Sequence, residues 1–143
     1  MCELILFLAL TFSYSGPETE LIALINQERQ AQNLTEVSIN WELTRLARYR
    51  AEEMQKLEFF SFESPVYGCP RGMLVQFGIP FEDVGASIAA GQHTAENVFA
   101  VWIASDEHRE KILHPEFTSV GVGFTHNTGG KPYWTLIMAS PTQ

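Results

Sequence analysis

Apolar residues recur at helical spacing along much of the chain. Val98, Val101, Trp102 and Ser105 fall at i, i+3, i+4 and i+7 and share one helical face. Thr94 stands where a hydroxyl can cap the free amides of a first turn, and Glu96 suits the positive end of the helix dipole. This pattern predicts a helix that ends near Asp106. His108 then leaves from the helix end, Ile112 and Leu113 return to the core, and Pro115 stops further helix. A cleaner pattern runs from Trp41 to about Leu57, where Leu43, Leu46, Ala47, Arg50, Ala51, Met54 and Leu57 repeat at three and four. Asn40 is its expected cap, and core packing accounts for all of these residues. A third helix opens at Gly16-Pro17-Glu18-Thr19-Glu20, buries Leu21, Leu24 and Ile25, and carries Glu28, Arg29 and Gln30 in its polar later part. Asn33 suits a left-handed residue just past its end.

Other stretches read as strand or loop. Phe59 to Pro70 is a loop rich in aromatic and turn residues, followed by a short helix from Arg71 to Phe77 with Gly78 as its cap. Asp83 to Ala90 is a strand of small residues ended by Gly91. Val120, Val122 and Phe124 alternate with Gly121 and Gly123, and Asn127-Thr128-Gly129-Gly130 marks a turn. The run Tyr133 to Ala139 is apolar on both faces, so it needs cover on both sides. Helices above and below a sheet supply that cover.

Length and charge narrow the classes. With 143 residues, 45% of them hydrophobic, the chain suffices for one compact domain, expected over residues 16–143. A net charge of −8 argues against nucleic acid and against docking on anionic lipid. The cysteines are Cys2 and Cys69, and no Cys/His group has zinc-site spacing. A partly buried free thiol at Cys69 is preferred to a Cys2–Cys69 bridge. Leu4 to Phe12 is too short to span a bilayer, so no stable span is expected in the mature chain. It suits the apolar region of an export signal, with Ser13-Tyr14-Ser15 before Gly16 as the cleavage site, although Met1-Cys2-Glu3 carries no basic residue. The alternative is an N-terminal apolar segment packed on the domain. Export, to the medium or the cell surface, is the preferred reading.

Trp102, Ser105, His108-Arg109 and Ile112-Leu113, followed by Pro115, Phe117 and Gly121-Val122-Gly123, resemble the bacterial branch of the CAP superfamily, the cysteine-rich secretory protein-like (SCP) domains. Leu21 to Arg29 resembles the opening helix of that family, and Trp41, Leu46-Ala47 and Met54 its second helix. The resemblance covers about Leu21 to Ser140. It implies an α+β fold, a three-layer α-β-α sandwich with a small antiparallel sheet between helices. It also implies a cleft lined by histidines and acids that often holds a divalent metal.

Three marks of that cleft can be checked by position. Bacterial members carry Phe-Ser-His after the second helix; here Phe60-Ser61 is followed by Phe62. They carry Gly-Glu-Asn entering the first strand; here Gly85 is followed by Ala86-Ser87. His108-Arg109 is kept, as is Tyr133-Trp134-Thr135, while the glutamine common after it is Leu136. A metal site needs about three nitrogen, oxygen or sulfur ligands, and Phe62 and Ala86 offer none. The expectation is therefore no metal, no cofactor and no catalytic residue. The cleft would be lined by His108, Arg109, Phe62, Ala86, Ser87, Glu63 and Tyr133, and would take a protein, peptide or apolar small ligand. A hydrolase or protease using His108 is the alternative.

Individual residues have structural readings beside these. His108 is expected to bond to backbone near the helix end, and Arg109 to pair with Glu110, Glu107 or Asp106. His93, His114 and His126 read as surface or loop residues. Ser61 and Ser87 have no His/Asp partner that the sequence places beside them. Phe59, Phe60, Phe62, Tyr67, Phe77 and Phe81 could line an apolar pocket; such density is more often a satellite core under a long loop, but Phe62 in place of the histidine favours a dry, apolar cleft.

Overall fold

The computed structural model describes residues 16–125 and 130–141. Cys2, the apolar run Leu4 to Phe12, His126 and most of the turn expected at Asn127-Thr128-Gly129-Gly130 lie outside those residues.

Along the chain come α1 (Gly16–Ala31), β1 (Ser38–Ile39), α2 (Trp41–Leu57), α3 (Pro70–Gln76), β2 (Asp83–Ala90), α4 (Ala95–Ile103), α5 (Asp106–Ile112), β3 (Ser119–Phe124) and β4 (Tyr133–Ser140). The strands form one sheet in the order β1-β3-β4-β2. β3 and β2 flank β4 antiparallel, whereas the two-residue β1 joins β3 in parallel, so the sheet is mixed rather than purely antiparallel. All eight residues of β4 are buried, as expected of a strand apolar on both faces. On one face Trp134, Leu136, Met138, Val120 and Val122 pack with Leu21 and Ile25 of α1 and with Val98 and Trp102 of α4. On the other, Ile137 and Ala139 pack with Leu43, Leu46 and Ala47 of α2 and with Met73 and Leu74 of α3. The result is the helix–sheet–helix sandwich.

The caps fall where the sequence places them. Asn40 Oδ1 accepts from Leu43 N at 3.0 Å, and Thr94 Oγ1 accepts from Asn97 N at 3.1 Å. Asn33 adopts φ 62° past α1. The alternating glycines of β3 have a steric cause. A Cβ on Gly121 would lie 2.3 Å from the Leu43 carbonyl carbon, and one on Gly123 would lie 2.3 Å from that of Ala47. The glycines thus let the backbone of α2 rest directly on the sheet.

Several expectations are corrected. The helix expected to run to Asp106 ends at Ile103; Ser105 then opens a separate helix, α5. Val98 and Trp102 are buried, but Val101 is half exposed. Trp41 and Leu57 sit at the two ends of α2, where the sheet no longer covers them, and both are exposed. Cys69 is exposed, its Sγ accepting from Gly72 N at 3.4 Å as the cap of α3. Arg29 lies on the buried side of α1, fully enclosed. Its guanidinium donates to the carbonyls of Thr35 (2.8 Å), Ile112 (2.8 Å), His114 (3.0 Å) and Phe117 (3.1 Å). That set ties α1 to the segment after α5.

Candidate functional site

β2 is an edge strand, and an open edge exposes unpaired carbonyls and amides. Here the α4–α5 pair covers it. Trp102 Nε1 donates to Ile88 O at 3.2 Å, and Lys111 Nζ donates to Ala86 O at 2.8 Å. Residues expected to line the cleft meet along this edge, where side chains of α5 contact β2 and the loop that follows α2.

His108 sits one turn into α5 rather than beyond a helix end. Its Nδ1 lies 2.9 Å from Oγ of Ser87. The histidine is therefore held by a side chain of the neighbouring strand, not by backbone as expected, and Ser87 has a histidine partner after all. Ser87 itself is fully buried. Among the described residues no carboxylate hydrogen-bonds to His108. Burial holds the imidazole below its ordinary pKa, the Lys111 ammonium adds to that effect, and Glu107 opposes it.

Phe62 faces the same place from the loop. The Lys111 ammonium lies 4.9 Å from the centroid of its ring, so one cation bridges the Phe62 face and the Ala86 carbonyl. Phe62 and Phe59 pack on a cluster of Ala51, Met54, Ile88 and Tyr133, so Tyr133 belongs to the core beneath this loop. Tyr67 and Phe81 pack on the α2–α3 cluster. Phe60 and Phe77 are exposed. Phe59 and Phe62 thus join a small cluster under the loop, Tyr67 and Phe81 extend the α2–α3 core, and Phe77 lines a groove with Tyr49, Tyr67 and Ile79.

A buried ion pair holds this loop. Arg50 Nη1 donates to Glu53 Oε1 at 2.6 Å, Arg50 Nη2 donates to Ser61 O, and Ser64 Oγ donates to Glu53 Oε2 at 2.9 Å. Because both charges are enclosed, each depends on the other to offset desolvation. Glu63 is exposed and lines a shallow groove with Leu57, Phe59 and Ser61 rather than contacting His108. Arg109 pairs with Asp106, one of the expected acids, and donates to Ile103 O at 3.1 Å, which ties α5 back to α4. His93 is exposed; His114 stacks on Phe117 and lies 3.7 Å from Asp83.

Three contributors escape the sequence reading. Lys111 reads locally as a solvated cation; only its i+3 spacing from His108 hinted at a shared face. Arg50 and Glu53 fit the amphipathic period of α2 and carried no signal of an internal pair. A metal does not suit what is gathered here. Among the described residues there is no group of three or more His, Cys, Asp or Glu able to hold one, and the cleft is occupied by an ammonium instead.

The fold agrees with known proteins. Residues 22–138 match the family model of the cysteine-rich secretory protein family, CAP. YkwD of Bacillus subtilis (strain 168) is 39% identical over 115 residues, which cover 80% of this chain and 45% of that protein. An extracellular SCP-domain protein of Bacillus anthracis str. Ames superposes with a TM-score of 0.78 at 25% identity, over 87% of this chain and 40% of that one. An outer surface protein of Borrelia burgdorferi gives 0.80 at 17% identity, over 87% and 92%. The chain thus spans less than half the length of YkwD and of the Bacillus anthracis protein. No helix among the described residues is long and apolar enough to cross a membrane. The match over residues 22–138 places this chain in the CAP, or cysteine-rich secretory protein, family.

Proposed function

We propose that residues 16–143 form a single non-enzymatic binding module, exported to the cell surface or beyond, that takes a protein, peptide or small ligand in the cleft at the β2 edge. One observation carries this reading: Lys111 Nζ bridges the Ala86 carbonyl and the Phe62 ring where the family resemblance implies a metal held by His and Glu side chains. A cation in that position repels another cation, and neither Phe62 nor Ala86 can ligate one. The export part draws on similarity to an extracellular and an outer surface protein, and on the apolar run Leu4 to Phe12.

A second reading rests on the 2.9 Å contact between Ser87 Oγ and His108 Nδ1, which has the form of a nucleophile with its base. It is the weaker of the two. Ser87 is fully buried, and no acid orients the imidazole among the described residues. A fluorophosphonate probe separates the readings. A binding module leaves Ser87 unlabelled and shows no ester or peptide hydrolysis. Labelling that disappears in Ser87→Ala would establish the hydrolase instead. Calorimetric titration with zinc adds a second check: a stoichiometric site at the cleft would overturn the metal-free binding module.

A further inference from the structure

The side chains at the β2 edge donate protons where a metal site would donate electron pairs. We propose that the cleft recognises a carboxylate, its head held by Lys111 Nζ and His108 Nε2 and its apolar stem set against Phe62. This rests on the reading of the cleft as a binding site and names the chemistry of its ligand.

The donors have spare capacity. An ammonium carries three protons. On Lys111 one of them goes to Ala86 O at 2.8 Å, which fixes the position of the head group. Glu107 Oε1 is 3.7 Å away, beyond hydrogen-bond reach, and its side chain is 72% exposed, so water screens it. On His108, Nδ1 faces Ser87 Oγ, and Nε2 has no partner among the described residues. The Ser87 hydroxyl has no other acceptor there, so it donates to Nδ1 and leaves the imidazole proton on Nε2. Residues 108 and 111 are i and i+3 on α5, neighbours on one helical face. A charge-assisted donor and a neutral donor side by side suit the two oxygens of one carboxylate.

Charge selects the class of anion. The cleft offers one fixed cation within a chain of net charge −8. One cation balances a monoanion; a dianionic phosphate would stay under-compensated in that field. The half-buried Phe62 ring beside the ammonium is a carbon surface, which favours an acid with an apolar stem over a small hydrated ion.

The test uses the full chain, labelled with 15N, and four probes: butyrate, a blocked dipeptide acetyl-Leu-Leu with a free C-terminus, the same dipeptide as its C-terminal amide, and inorganic phosphate. The acid dipeptide and butyrate distinguish a peptide terminus from a free organic acid. The proposal expects saturable shifts of the amides of residues 86–88 and 108–111 with one or both carboxylates. Binding should be at least tenfold weaker for the amide and for phosphate. Lys111→Met should weaken carboxylate binding at least tenfold and Lys111→Arg should retain most of it, with thermal melts confirming that both variants fold. Equal binding of acid and amide, tighter binding of phosphate, an unaffected Lys111→Met variant, or no shift with either carboxylate would each overturn it. The broader binding reading falls separately, by labelling of Ser87 or by zinc at the cleft.

Discussion

The guanidinium of Arg29 donates to the carbonyl of Ile112 across 83 residues of sequence, at 2.8 Å, inside a fully buried site. Three further carbonyls, of Thr35, His114 and Phe117, accept from the same side chain. The last turn of α5 and the chain entering β3 are thereby fixed to α1. Removing the guanidinium leaves buried acceptors without donors, and hydrogen bonds from a charged group count for roughly 1.5–3 kcal/mol each. Arg29→Met should therefore cost at least about 3 kcal/mol in urea unfolding. Arg29→Lys should recover little, because an ammonium cannot reproduce the planar fork. A loss below about 1 kcal/mol for Arg29→Met would show that water replaces the donors easily.

Close approach of α2 to β3 gives a second expectation. A methyl group on Gly123 would enter backbone of α2, which has no flexible end to move aside. Gly123→Ala should separate the helix from the sheet and destabilise by about 3 kcal/mol or more, at the upper end of overpacking effects. Gly121→Ala should behave alike. Gly16→Ala is the control, since nothing lies within 4 Å of a Cβ there. Comparable melting temperatures for Gly16→Ala and Gly123→Ala would refute the packing account.

Much of this architecture is legible from local pattern because its causes are local. Asn40 and Thr94 cap helices through bonds three residues away, and β4 announces its burial by being apolar on both faces. What stays hidden depends on distant partners. β1 is two residues long and exists because β3 lies beside it. The break between α4 and α5 leaves no gap in the polar and apolar period, and Ser105 reads equally well inside a helix. Arg29 and Lys111 each read as surface cations, since the carbonyls that bury or hold them lie far along the chain. The candidate site is half legible for the same reason. The family resemblance pointed to Phe62, Ala86 and His108 as cleft candidates, but the hydroxyl of Ser87 and the ammonium of Lys111 met the imidazole and the ring only in three dimensions.

Titration of His108 should be visible in stability. Burial, together with Lys111, lowers its pKa in the folded state below the ordinary 6.5. The unfolded chain then binds the proton more readily than the folded one. Stability from this group is full above about pH 6.5 and is lost as pH falls toward the lowered folded value. Urea midpoints of the native chain should drop between pH 7.5 and 5 by more than those of His108→Gln, which cannot titrate. Identical slopes for the two proteins would mean that His108 is as open to water as in the unfolded chain. A reversed difference would mean that Glu107 outweighs burial.

Restoring ligands tests whether the cleft kept its geometry while changing its chemistry. Phe62→His and Ala86→Glu would place an imidazole and a carboxylate near His108, which reaches the roughly three ligands a zinc ion requires. Lys111 should still oppose the ion, because its ammonium already sits on Ala86 O and over the ring at position 62. The double variant should therefore bind zinc weakly, and addition of Lys111→Met should raise the affinity at least tenfold. Isothermal titration, with His108→Ala added as a control that abolishes the gain, measures each step. A triple variant that binds no better than the native chain would show that the backbone at the β2 edge no longer holds these positions at coordinating distance, so that more than side-chain identity separates this cleft from a metal site.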